Sequence, residues 1–322
     1  MSKHYNIPVF VSHSGCPHSC VFCNQKTITG TSDGADREFV RKTVEKYLET
    51  FDENSSVQLA FFGGSFTGIP IGRQVELLSS GYEYIKKGQI DSIRISTRPD
   101  YIDEKILDLL QSYGVKSIEL GMQSSNDEVL AANERGHIHS DTIKAAKMIK
   151  HRGFELGLQM MTGLYMSTPQ KDMETAREIL RLGANTTRIY PTMVLGGTKL
   201  CELYQKGEYV PPTLEESVSL CADIFQLFEV SGVKVLRVGL QATDTICENG
   251  KIVAGAYHSA FGELVQSRII RKKLEKLAMQ TLEDKITVEV PKSLVSKTVG
   301  NKRCNINYIK EKFGKDIIIK QI

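Results

Sequence analysis

Three cysteines lie within eight residues near the start of the chain. Cys16, Cys20 and Cys23 are in SHSGCPHSCVFCNQ, with three and then two intervening residues, directly after an apolar run. Three close thiolates can ligate three irons of a 4Fe–4S cubane and leave the fourth iron open to a small chelating molecule. A zinc site using His13 or His18 is the alternative, but structural zinc usually pairs two cysteine knuckles and no second knuckle is present. The spacing favours the iron–sulfur cluster.

The remaining composition is that of an ordinary globular protein. Of 322 residues, 41% are hydrophobic and 25% are charged, which is enough for one large domain or a domain with an appendage. The other four cysteines are scattered, so we interpret them as packing residues and not as a disulfide framework. We find neither a membrane-spanning apolar run nor a secretory signal, and we expect a cytoplasmic protein with no membrane association.

Short β-branched apolar runs alternate with amphipathic stretches along most of the chain. This alternation predicts parallel strands joined by right-handed crossovers, and six or seven such units favour a β/α barrel over a doubly wound sheet. Functional residues are then expected at the carboxyl ends of the strands. The predicted strands cover residues 7–12, 57–63, 92–97, 116–121, 154–161, 186–194 and 233–240.

The pattern changes after about residue 250, where one long basic helix precedes two strand-like segments. We therefore expect a barrel over residues 1–250 and a small α+β appendage over residues 251–322. From His258 onward there are 14 Lys and Arg against 7 Asp and Glu, so this segment carries about +7 and the rest about −4 of the net +3. Such an excess indicates either a polyanion-binding surface or a solvated face, and charge alone does not choose between them.

The cysteine motif resembles that of the radical S-adenosylmethionine (SAM) superfamily, whose members have the same spacing and an aromatic residue before the last cysteine. Phe22 has that place here. The resemblance implies that Cys16, Cys20 and Cys23 ligate a 4Fe–4S cluster and that Phe22 packs near the adenine of SAM. It also implies that the open iron chelates SAM and that one electron cleaves SAM to a 5′-deoxyadenosyl radical. The fold implied is a partial (β/α)6-type, TIM-like barrel.

Later strand ends carry residues that this resemblance assigns to SAM. Gly63 and Gly64 follow the second strand in FFGGSFTG, where family members have a glycine-rich motif that contacts the SAM amino group. The third strand ends in STRPDY, which places the polar Ser96 and Arg98 at the barrel mouth, although a cap turn with a surface arginine would have the same sequence. We predict that these four residues bind the cofactor.

Two further cofactor residues follow the fourth strand. Gln123 and Arg135 match positions that contact the SAM ribose and carboxylate in relatives resembling oxygen-independent coproporphyrinogen oxidase. A guanidinium can pair with a carboxylate through two hydrogen bonds. Gln159 and Tyr190 are polar residues on later strands, and we assign a catalytic role to neither; no catalytic residue is predicted.

The motif sequences are most similar to those of the radical SAM part of the Elongator catalytic subunit family, which modifies the wobble uridine of tRNA. The matching strings run from residue 7 to about 240 and include GGSFTG, STRPDYI, ELGMQS, ERGH, RIYPT and KGEYVPPTLEE. That family also has an acetyltransferase domain and a basic N-terminal extension, and we expect this chain to lack both. The resemblance therefore implies the barrel chemistry, and it leaves both the substrate and the transferred group open.

Three functions are compatible with the sequence. The first is a radical SAM enzyme acting on RNA such as tRNA, with Arg271, Lys272 and Lys273 of the basic appendage guiding the RNA. The second is a radical SAM enzyme acting on a small metabolite or tetrapyrrole-like substrate. The third is a metal-stabilised RNA-binding module without catalysis. We favour the first, with a reductant such as flavodoxin or ferredoxin as a partner.

Overall fold

The fold is that of a computed structural model, which describes residues 4–11, 15–16, 20–24, 35–52, 55–240 and 251–322. Its eleven described strands are β1 (His4–Phe10), β2 (Ser56–Phe62), β3 (Ser92–Thr97), β4 (Val115–Gln123), β5 (Glu155–Thr162), β6 (Thr186–Pro191), β7 (Met193–Leu195), β8 (Lys234–Val238), β9 (Ile252–Gly255), β10 (Lys285–Val290) and β11 (Asp316–Gln321). Seven of them form one parallel sheet in the order β1-β2-β3-β4-β5-β6-β8. The expected partial α/β barrel is confirmed.

Helices connect the strands, and most of them begin at a side-chain cap. Asp36 accepts from the Phe39 N–H before the first helix, and Thr213 forms a capping box with Glu216 before the eighth. The described α-helices are α1 (Arg37–Leu48), α2 (Ile71–Lys86), α3 (Glu104–Ser112), α4 (Asp127–Ala132), α5 (His139–His151), α6 (Pro169–Arg181), α7 (Lys199–Gln205), α8 (Leu214–Val230), α9 (Phe261–Gln280), α10 (Lys292–Val299) and α11 (Cys304–Phe313). None of them is long and apolar enough to cross a bilayer.

The two faces of the sheet differ in chemistry because side chains alternate along each strand. On β4, Ile118 and Leu120 belong to the main hydrophobic core and are fully buried. Their neighbour Glu119 is on the opposite face, where it pairs with Arg94 of β3 and Arg188 of β6. The apolar face therefore packs against the helices, and the concave face, which we call the lumen, is polar.

One predicted strand is shorter than expected. The run 186–194 separates into β6 and β7 at Thr192, whose N–H and hydroxyl both donate to the Thr162 carbonyl. Pro191 has no N–H to donate, so a regular ladder cannot continue through it. β7 instead pairs antiparallel with β9.

The C-terminal appendage has its own small core, and one helix connects it to the barrel. The first half of α9 contributes Phe261, Val265 and Ile269 to the barrel core, and the second half contributes Leu274 and Ala278 to the appendage core. Strands β10 and β11 pair in parallel beside α10 and α11. The expected α+β character is confirmed. The predicted boundary at residue 250 lies outside the described residues and stays a prediction.

Candidate active site

The cysteine loop follows β1 and lies against the segment that follows β2. Gly15 has a φ of +79°, and a Cβ added there would lie 2.2 Å from the Ser65 carbonyl oxygen, so no side chain fits. Cys20 is buried, and its carbonyl accepts from the Cys23 N–H at 2.9 Å in a tight turn. The backbone of this loop is therefore held close to the strand ends.

Among the residues that the structure describes, no three His, Cys, Asp or Glu side chains are placed to hold a single metal ion. A cubane does not require such convergence, because each cysteine ligates a different iron. Burial and the neighbouring Cys20 raise the pKa of Cys16, and Arg135 and Arg98 oppose that increase. Thiolates at this place therefore need positive charge beside them. These two arginines supply part of it, and iron held by the cysteines would supply more.

The cysteine loop is clamped from two sides through Val21. The Val21 N–H donates to the Asn133 carbonyl at 3.2 Å, and its own carbonyl accepts from the Leu200 N–H at 2.7 Å. Val21 and Phe22 pack in a separate apolar cluster that also contains Val194 of β7. Phe22 is thus held against β7, and its predicted contact with adenine stays a prediction.

The Arg135 side chain contacts the cysteine loop directly. Its Nη1 lies 3.1 Å from the Cys20 Sγ, and its Nη2 donates to the Gly121 carbonyl at 2.8 Å. The Arg135 Nε is buried and has no hydrogen-bond partner within the described residues. This donor and the adjacent thiolate fit a site that holds both a cluster and an anionic group, as the sequence predicts for the SAM carboxylate.

Arg98 and Ser96 lie on the same rim at the end of β3. Arg98 is 3% exposed and forms a paired contact with Asp100 at 2.9 and 2.8 Å. The buried Ser96 lies 3.5 Å from the Gln159 amide nitrogen on β5. The structure brings both predicted residues to the mouth, but the Arg98 side chain is already paired with a carboxylate.

Three predicted positions have left-handed backbone. Gly63 and Gly64 have φ values of +83° and +61°, and a Cβ at Gly63 would meet no heavy atom nearer than 3.7 Å. The conformation, and not a steric conflict, therefore requires glycine at Gly63. Gln123 has a φ of +66°, which is unusual for a residue with a side chain, and its buried amide oxygen has no partner among the described residues. Such strain is concentrated at binding sites.

The sequence analysis missed His137, which lies beside the arginines of the mouth. His137 is 4% exposed, and burial followed by Arg135 and Arg98 lowers its pKa to about 4. The imidazole is therefore neutral near pH 7 and does not add a charge to the site. The string ERGH contained the only signal for it, and the sequence analysis used that string solely for the resemblance.

A buried ionic network below the mouth was also missed. Glu119 accepts from Arg94 Nη1 at 2.8 Å, from Arg188 Nε at 2.7 Å and from Gln159 Nε2 at 3.0 Å. Burial opposes ionisation of Glu119, but Arg188 and Arg94 outweigh it and hold the pKa of that carboxyl below its ordinary value. Arg188 also lies over the Phe62 ring at 5.0 Å. We call Arg94, Glu119 and Arg188 the lumen triad.

The basic triplet on α9 is largely paired inside the chain. Arg271 lies 3.2 Å from Glu215, and Lys272 pairs with Asp223; both acidic partners are on α8. Lys273 is exposed. Two of the three charges that the sequence analysis assigned to RNA guidance therefore face the barrel.

Comparison with known families identifies the class. The Radical SAM superfamily model matches residues 10–183, and the Radical SAM C-terminal domain model matches residues 184–271. The chain belongs to the radical SAM superfamily, whose enzymes use a 4Fe–4S cluster and SAM.

Similar proteins within that superfamily include a tRNA uridine(34) acetyltransferase, an uncharacterised protein and an Elp3 of known structure. A tRNA uridine(34) acetyltransferase of Methanocaldococcus infernus is 25% identical over 308 residues, which cover 83% of this chain and 57% of that protein. An uncharacterised protein of Methanocaldococcus jannaschii is 30% identical over 237 residues, which cover 70% of this chain and 72% of that protein. The solved structure of Methanocaldococcus infernus Elp3 with an N-terminal deletion matches with a TM-score of 0.69 at 24% identity. The match covers 85% of this chain and 64% of that one. The chain thus spans little more than half the length of the acetyltransferase that it matches.

Proposed function

We propose that this protein uses SAM and a 4Fe–4S cluster on Cys16, Cys20 and Cys23 to modify RNA, with a tRNA-like substrate. The observation that carries the proposal is the similarity to a tRNA uridine(34) acetyltransferase over 83% of the chain. When bound, the cluster supplies the electron that cleaves SAM and yields the radical. A reductant such as flavodoxin or ferredoxin delivers that electron, and the protein works in the cytoplasm.

Residues from several strand ends would together hold the cluster and SAM. Arg135 holds the Cys20 thiolate and keeps an unused buried Nε for the SAM carboxylate. Gly63, Gly64 and Gln123 present backbone and amide groups from neighbouring strand ends. Ser96, Arg98 and Phe22 complete the proposed cofactor site along the rim.

The lumen beyond this rim suits a nucleobase. Arg188 is fixed by Glu119 on one side and lies over the Phe62 ring, and it also contacts Tyr190. A guanidinium has five N–H donors, so Arg188 retains donors beyond those that Glu119 accepts. Carbonyl groups of a pyrimidine would meet donors here, and its ring would meet an aromatic wall.

The proposal is tested by deleting the gene in the source organism and comparing the nucleosides of total tRNA by mass spectrometry. We expect one modified nucleoside to disappear and to return when the wild-type gene, but not a Cys20→Ala gene, is restored. An unchanged tRNA profile, with purified protein that cleaves SAM, would contradict the RNA substrate and favour a small metabolite.

A further inference from the structure

A cavity of about 320 Å³ lies where the appendage meets the barrel, between α8, α9 and α11. Its volume is in the range of small-ligand sites, which is about 300–1,000 Å³. It is separate from the cysteine loop and from the lumen triad, since it shares no residue with either. Its lining includes Glu215, Arg268, Arg271 and Cys304.

The cavity has more positive than negative charge on its buried walls. Arg268 and Arg271 are only 13% and 14% exposed, and both contact Glu215, which is 71% exposed. Burial and the neighbouring Arg271 lower the pKa of Arg268, as expected where two guanidinium groups share one carboxylate. The Arg271 Nε is buried without a hydrogen-bond partner in the described part of the chain. The walls therefore have an unused donor, and the charge of the two arginines is offset by Glu215, which is mostly in water, and in part by Glu275.

Two neighbours favour an anion further. Arg271 is held over the Tyr308 ring at 4.6 Å, which fixes the guanidinium in place. Helix α11 begins at Cys304 on the cavity wall, and no side chain caps it, so its first N–H groups add positive potential. Glu215 is exposed enough to turn towards solvent when another anion arrives.

We propose that this cavity binds a phosphate group, which two buried arginines can hold through several charge-assisted hydrogen bonds. The phosphate is either a phosphodiester of the RNA substrate, which rests on the proposed function, or free phosphate. The competing interpretation is that Arg268, Arg271 and Glu215 only fix the appendage to α8. The two interpretations differ in the effect of removing the glutamate.

The test follows the alkylation of Cys304, an exposed thiol on the cavity wall, by peptide mass spectrometry. Anaerobically reconstituted protein is titrated with inorganic phosphate at constant ionic strength, set with NaCl. We expect phosphate to slow the alkylation. Arg271→Gln should weaken that protection about tenfold, and Glu215→Gln, which keeps both arginines, should strengthen it about threefold. Lys276→Gln, which removes an exposed charge on the same helix, is the control and should behave as wild type.

Opposite effects of the arginine and glutamate variants support a phosphate site, because a simple docking contact would be weakened by both. Should Arg271→Gln fail to fold, Glu215→Gln still decides the matter. An RNA oligonucleotide that protects Cys304 at a much lower concentration than inorganic phosphate identifies the source as RNA. Protection by phosphate alone identifies free phosphate.

Absence of protection by either probe, or Glu215→Gln protection weaker than wild type, overturns the proposal. These outcomes do not depend on radical chemistry. If phosphate and RNA fail to protect Cys304 but gene deletion still removes a tRNA nucleoside, the phosphate site is refuted and the proposed function stands. If phosphate protects Cys304 but gene deletion leaves the tRNA nucleosides unchanged, the site stands and the proposed function is refuted.

Discussion

Two places in this molecule set one glutamate between two arginines, and they differ in what surrounds the carboxylate. In the lumen triad, Glu119 is 2% exposed and Arg94 is 4% exposed. At the appendage, Glu215 is 71% exposed between Arg268 and Arg271, a group that we call the junction triad.

The difference shows which carboxylate is fully paired. Both carboxylate oxygens of Glu119 are occupied, and Arg94 uses its remaining groups on Glu155 at 3.0 Å and Gln58 at 2.7 Å. The junction triad leaves the Arg271 Nε unused and its carboxylate mostly in water. A buried network whose carboxylate is fully paired fixes the shape of the lumen, whereas one with an exposed carboxylate and an unused buried donor is able to accept an anion.

The largest expected effect is on stability at the lumen triad. Glu119→Gln removes the only carboxylate paired with Arg188 among the described residues, and leaves Arg94 with the partly exposed Glu155 alone. It should cost about 3–5 kcal/mol of unfolding free energy. Glu215→Gln should cost less than about 1 kcal/mol, since an exposed ion pair contributes little. Urea denaturation followed by circular dichroism measures both. Equal losses would show that burial does not distinguish the two triads.

A second test uses pH, because the barrel also has a buried carboxylate that pairs with no cation in the described part of the chain. Asp172 is 2% exposed and accepts from the Gly163 N–H and the Ser167 hydroxyl, and burial raises its pKa from 3.8 to about 6. Its charged form therefore opposes folding, so stability is lost as the pH rises through about 6. At about 1.36 kcal/mol per pH unit, wild type should lose about 3 kcal/mol relative to Asp172→Asn between pH 3.8 and 7.

Glu119 should show the opposite sign in the same series. Its pKa is lowered in the folded state, so its contribution is present above the ordinary glutamate pKa and is lost as the pH falls through the folded value. Wild type should therefore lose stability relative to Glu119→Gln on acidification. If the stability difference from wild type changed with pH in the same direction for both variants, pairing with arginine would not explain why the pKa values of Glu119 and Asp172 shift oppositely.

The smallest expected effect concerns salt. In a double-mutant cycle, the coupling of Glu215 with Arg268 should be about 0.2–1 kcal/mol and should decrease at 0.5 M NaCl, because exposed charges are screened. The coupling of Glu119 with Arg188 should be larger and nearly independent of salt. A salt-insensitive junction pair would mean that Glu215 is less accessible than its exposure indicates.

The sequence predicts the elements of this fold well because their signals are local. The cysteine spacing lies within one loop, and the β4 string KSIELG already alternates between the two faces. The lumen triad was missed because Glu119 is 25 residues from Arg94 and 69 from Arg188, so only the sheet brings them together.

The cofactor residues show the same limit. The sequence placed Arg135 at the mouth, but its contact with Cys20 joins residues 115 positions apart. The left-handed backbone of Gln123 could not be predicted either, because only glycine commonly signals that conformation in a sequence. The basic triplet was interpreted as surface because pairing of Arg271 with Glu215 depends on how α9 crosses α8. Local patterns indicate which chemistry is present, and tertiary contacts decide which charges remain available.

The central claim is that the cysteine loop and the adjoining strand ends perform radical SAM chemistry, and product analysis tests it most directly. Anaerobically reconstituted protein should contain about four irons and four sulfides, since three thiolates and SAM complete one cubane. After reduction with dithionite it should convert SAM to equal amounts of 5′-deoxyadenosine and methionine. Cys20→Ala should yield neither product, and Lys273→Gln should match wild type. Protein that binds stoichiometric zinc and releases no 5′-deoxyadenosine would contradict the account.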